Sequence, residues 1–114
     1  YFADTLQVMK TLIGRTVLGF GKGKDTVIGV IATNADLDKE ATNKVAQMAH
    51  DGLARTIRPA HTMLDGDTIF ALATGEHKAD VNIVGAYGAE VFAQAILRAV
   101  RAAKPVAGLP AINQ

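Results

Sequence analysis

The chain has 114 residues, 49% of them hydrophobic, which suits one globular domain and leaves no room for two independent cores. Twelve Lys and Arg against eleven Asp and Glu give a formal charge of +1, so the charge balance suggests neither a nucleic-acid footprint nor an acidic tail. With no cysteine, a disulfide scaffold, a thiol nucleophile and thiolate zinc sites are all excluded.

In chain order, Phe2, Leu6, Met9 and Ile13 fall at helical spacing, and Gly14 suits the position just past a helix end, so a short amphipathic helix is expected over Tyr1 to Ile13. Gly19 to Lys24 (GFGKGK) alternates glycine with lysine or phenylalanine and reads as a solvated linker. A phosphate-binding loop is rejected there, because Gly23-Lys24 is followed by Asp25 and a strand instead of Ser or Thr and a helix. Val27 to Ala32 is a β-branched apolar run, expected as a strand covered on both faces, with Thr26 just before it.

Asn34 to Asp38 reads as a turn, with Asp38 placed to cap the next helix and Glu40 in its first turn. Ala41, Val45, Met48, Ala49, Leu53 and Ile57 then form one apolar stripe, which Arg58-Pro59 ends. Thr68 to Thr74 is a second buried strand, bounded by Asp65-Gly66-Asp67 before it and Gly75-Glu76 after it. Asn82 to Ala103 is helical in spacing and apolar on more than one side, with Gly85 and Gly88 allowing close contact. Glu90, Gln94 and Arg98 interrupt this apolar segment, so no membrane span is expected. Two strands alone seldom support a sheet, so further chain is expected to complete it. The chain opens on Tyr1 instead of methionine and shows no signal-peptide pattern, so its genetic start is expected to lie elsewhere; a cytoplasmic location is the expectation, with a periplasmic or secreted one left open.

Few residues invite a chemical reading. His50, His61 and His77 are too widely spaced for a local metal motif, so no metal is expected; His50 suits a helix end and His61 a loop, and neither is a candidate base. Asp65 and Asp67 flank a glycine, and two carboxylates so close can converge on one pocket, where like charge raises one pKa. The same Asp-Gly pair equally suits a tight turn into the strand. Thr26 taken by itself is an ordinary residue before a β-branched strand.

Together these segments resemble a known family. DTVIGVIATNADL (25–37), AQMAHDGLARTIRPAHTMLDGDTIFALATG (46–75) and the start of the last helix at Asn82-Ile83-Val84-Gly85-Ala86 closely resemble the L-aminopeptidase/D-esterase family, which includes β-peptidyl aminopeptidases and nylon-oligomer hydrolases. The most specific piece is a Thr or Ser opening the IGV-like strand 39 residues before Asp65 of an HT-x-x-DGDT segment. The resemblance implies a self-cleaving precursor of the N-terminal-nucleophile type, cut between Asp25 and Thr26. Thr26 is then the nucleophile, with Asp65 and Asp67 as the paired acidic groups beside it. It further implies an α/β fold, an αββα sandwich of the N-terminal-nucleophile-like type shared with ornithine acetyltransferases, incomplete in this chain. Residues 1–25 would be the tail of the larger subunit with its processing loop, and 26–114 the nucleophile-bearing part. Small peptides, amides or esters would be substrates, no cofactor would be needed, and the partners would be the upstream subunit and further copies of the processed pair. Oxyanion donors and amine-recognition residues would lie upstream. Two departures stand out: Asp25 where many members have Asn or Gly, and Val27 where many have Thr. The Asp25 carboxylate puts negative charge beside the scissile carbonyl, which keeps open an uncut, catalytically silent subunit or binding protein of the same fold. The resemblance leaves an acyltransferase of the ornithine acetyltransferase type as a separate alternative.

Overall fold

Helix α1, Thr5–Lys10, starts where the Asp4 carboxylate accepts the free amides of Leu6 at 3.0 Å and Gln7 at 3.3 Å. It is shorter than the apolar spacing suggests, because Thr11 turns extended and its hydroxyl donates back to the Val8 carbonyl at 2.8 Å; the chain is helical again at 12–14. The structure, a computed structural model, describes residues 4–14, 16 and 26–112. The expected glycine-lysine linker and Asp25 lie outside the described residues.

Strand β1, Ile28–Ala35, helix α2, Lys39–Thr56, and strand β2, Thr68–His77, follow as one unit, with helix α3, Val81–Ala102, after it. The strands pair in parallel, Ile28 opposite Thr68 and Thr33 opposite Ala73. Such a pair needs a crossover, which α2 supplies. Both strands run further than the apolar runs alone indicate. Gly75, at φ 81°, takes a conformation that L side chains rarely adopt, and through this irregularity β2 continues until Ala35 faces His77.

Asp38 caps α2 by accepting from the Ala41 amide at 2.8 Å, and Asp80 caps α3 through the amides of Asn82 at 2.8 Å and Ile83 at 3.4 Å. On α2 the expected stripe is the one buried, with Val45, Ala49 and Leu53 fully enclosed. Both helices lie on one face of the sheet, where Ile31, Ile69 and Phe92 join them in the core. The crossing of α2 and α3 is tight: a Cβ on Gly52 would overlap the Ala89 carbonyl oxygen. By length and composition α3 could cross a membrane, which the interrupting charges alone did not suggest. Its Gly85, Gly88, Ala89, Phe92 and Ala93 face is buried within the fold.

Strand alternation sends the other half of each strand outward. Ile28, Val30, Phe70 and Leu72 share that second face and are 72%, 59%, 58% and 48% exposed. The expectation that β1 is covered on both faces is thus corrected for the described residues, which cover only one.

Candidate active site

The site gathers where β1 and β2 begin. Because the strands are parallel and nearly in register, their first residues lie side by side, and the Thr68 amide donates to the Val27 carbonyl at 2.9 Å. That bond draws the segment ahead of β2, Asp65-Gly66-Asp67, against the segment ahead of β1, Thr26-Val27. Thr26 Oγ lies over Gly66, close enough that a Cβ built there would stand 3.0 Å from it. Asp67 reaches across, its Oδ1 accepting the Val27 amide at 3.0 Å.

The carboxylates differ in their partners. Asp65 Oδ2 accepts from both the Thr62 hydroxyl, at 2.7 Å, and the Thr62 amide, at 2.8 Å, while the Asp65 amide returns a bond to the Thr62 carbonyl at 3.1 Å. The Thr62 hydroxyl first, then its amide, hold the Asp65 carboxyl below its usual pKa; desolvation opposes this, and the His61 charge adds a smaller push in the same direction. Hydrogen bonds to the Asp65 anion outweigh the other effects on it, so Asp65 is not the carboxyl that crowding raises. Asp67 is the more enclosed, its side chain 7% exposed, with His61 Nδ1 3.3 Å from its Oδ2.

Thr26, Asp65 and Asp67 line one cavity of about 420 Å³, together with Val27, Thr62 and the Ile57–Ala60 corner that ends α2. The three residues singled out from sequence are therefore brought together; Asp25 lies outside the described residues. Thr62 and His61 were missed as site residues. Their signal was the HT-x-x-DGDT spelling, since a threonine three residues before an aspartate can close a local turn onto its carboxylate. Among the described residues no group of three or more His, Asp or Glu side chains is arranged to hold a metal ion.

A hydroxyl and two carboxylates thus share one cavity at the leading edge of a βαβ unit. Residues 2–112 match the model of peptidase family S58, and the chain belongs to that family. An uncharacterized aminopeptidase of Mycobacterium leprae is 52% identical over a stretch covering 75% of this chain and 28% of its own length. One from Mycobacterium tuberculosis is 50% identical, over 75% of this chain and 29% of its own length. A 6-aminohexanoate-oligomer endohydrolase of a Kocuria species is 31% identical, over 68% of this chain and 25% of its own length. The chain thus spans less than a third of the length of these curated relatives.

Proposed function

We propose that the chain is the nucleophile-bearing C-terminal part of a self-processing hydrolase of amide or ester bonds, of the aminopeptidase type. The placement of Thr26 carries the reading: its hydroxyl lies over the Asp65-Gly66-Asp67 segment, and Thr26 lines the same cavity as both carboxylates. Aminopeptidase and oligomer endohydrolase are the names of relatives, and amide hydrolysis is common to both.

Processing begins with Thr26 Oγ attacking the Asp25 carbonyl. The peptide C–N bond breaks, an ester to Thr26 forms, and water hydrolyses it, leaving a carboxylate on Asp25 and a free amine on Thr26. That amine is the base the mature site requires, since an α-amino group has a pKa of about 7.7 to 8.0 and is partly unprotonated near neutrality. In turnover the amine takes the proton from Thr26 Oγ as the oxygen attacks the substrate carbonyl. The proton passes to the leaving amine or alcohol as the bond breaks, and water, deprotonated by the same amine, releases the acyl group. Asp67, bonded to the Val27 amide, fixes the segment carrying the nucleophile, and Asp65, held anionic by Thr62, favours the protonated amine.

In this reading residues 26–114 complete an αββα sandwich with the upstream subunit, whose sheet covers the open face of β1 and β2. Intact-mass analysis of the full precursor tests the proposal. Two chains divided between Asp25 and Thr26 are expected, with Thr26→Ala remaining whole. A precursor that stays uncut overturns the reading in favour of a silent subunit.

A further inference from the structure

Asp67 faces two ways. Its Oδ1 takes the Val27 amide at 3.0 Å, next to Thr26, and its Oδ2 meets His61 Nδ1 at 3.3 Å. Asp67 lines the cavity, whereas His61 does not, so the imidazole stands behind the carboxylate and outside the cavity. Two further features hold the ring there. His61 has a positive φ of 58°, a region non-glycine residues seldom occupy, and one that tends to occur where a site requires a fixed direction. From α2 the His50 ring packs edge-on against it, with centroids 5.0 Å apart.

We propose that His61 is a positioning residue for the reaction: it holds the Asp67 carboxylate from behind, so that Oδ1 stays on the Val27 amide and Thr26 keeps its aim. This rests on the reading of Thr26 as nucleophile. The imidazole sits beside an enclosed carboxylate and transfers no proton to substrate. The titratable groups about it are Asp67, Asp65, whose carboxyl feels the His61 charge, and His50. An acyl-transfer site is sensitive to such aim, since misplacement by about 1 Å costs on the order of a hundredfold in rate.

The test uses the full precursor with His61→Gly, whose backbone is at ease at positive φ, and with His61→Asn in parallel, which tolerates the same φ but lacks the imidazole. Self-cleavage is followed by mass, and turnover with an amino acid p-nitroanilide. Both variants are expected to lose on the order of a hundredfold in kcat with KM little changed, and free imidazole is expected to restore much of the rate to His61→Gly. Wild-type rates in either folded variant, or a slowed His61→Gly that imidazole does not revive, overturn the role. Thr26→Ala separates the two ideas. Inactive Thr26→Ala beside fully active His61→Gly sinks only the positioning role, whereas active Thr26→Ala, or a wild-type precursor that neither cuts itself nor turns over, removes the nucleophile reading and this inference with it.

Discussion

The Thr62 hydroxyl and amide converge on one oxygen of Asp65, and both bonds favour the ionised carboxyl. A carboxyl with a depressed folded-state pKa contributes stability above its unfolded pKa, about 4, and that contribution is lost as pH falls through the folded value. Thr62→Val keeps the shape and the amide but removes the hydroxyl, the larger of the two causes. Carbon-13 NMR titration of the Asp65 carboxyl in the full precursor should therefore show its midpoint rise toward the ordinary aspartate range. An unmoved midpoint would mean the hydroxyl bond is not made. Asp65 and Asp67 were legible as candidates because two carboxylates around a glycine form a local pattern. Their different partners were not, because these depend on which side chains the fold brings up beside them: Thr62 on Asp65, and on Asp67 His61, at a positive φ and against a ring from α2.

At the scale of elements, helix caps and stripes were open to reading because each is decided within a few residues. Asp38 and the sequence from Ala41 to Ile57 specify where α2 starts and which face it buries without reference to the rest of the chain. The ends of the strands were not, since the continuation of β2 past Thr74 depends on a partner: Ala35 of β1 waits opposite His77 across the Gly75 irregularity. The core under the sheet turns on Leu53, fully enclosed among Ile31, Val45, Ala49, Ile69 and Phe92. Leu53→Ala should cost about 2–5 kcal/mol through lost burial and the void left behind. Denaturant unfolding of the full precursor measures this, and a loss below about 1 kcal/mol would show that the cluster collapses to fill the gap.

For the whole molecule the open sheet face matters most. Ile28, Val30, Phe70 and Leu72 form a contiguous apolar surface on the side away from α2 and α3, which the described residues leave uncovered. The sequence already indicated that two strands were too few, though which face lacked cover depended on register: the odd positions of β1 meet the helices and the even ones do not. Under the proposed function, the part of the precursor that covers this face also brings the oxyanion donors to the cavity beside Thr26. Loss of one such donor costs about 10²–10³ in turnover. Residues 1–114 produced alone should therefore turn over an amino acid p-nitroanilide at least a hundredfold more slowly than the full precursor, and should bind a dye for exposed apolar surface that the full precursor leaves free. Equal turnover per chain would show that this segment carries every donor the reaction needs, and would remove the upstream subunit from the chemistry while leaving Thr26 in it.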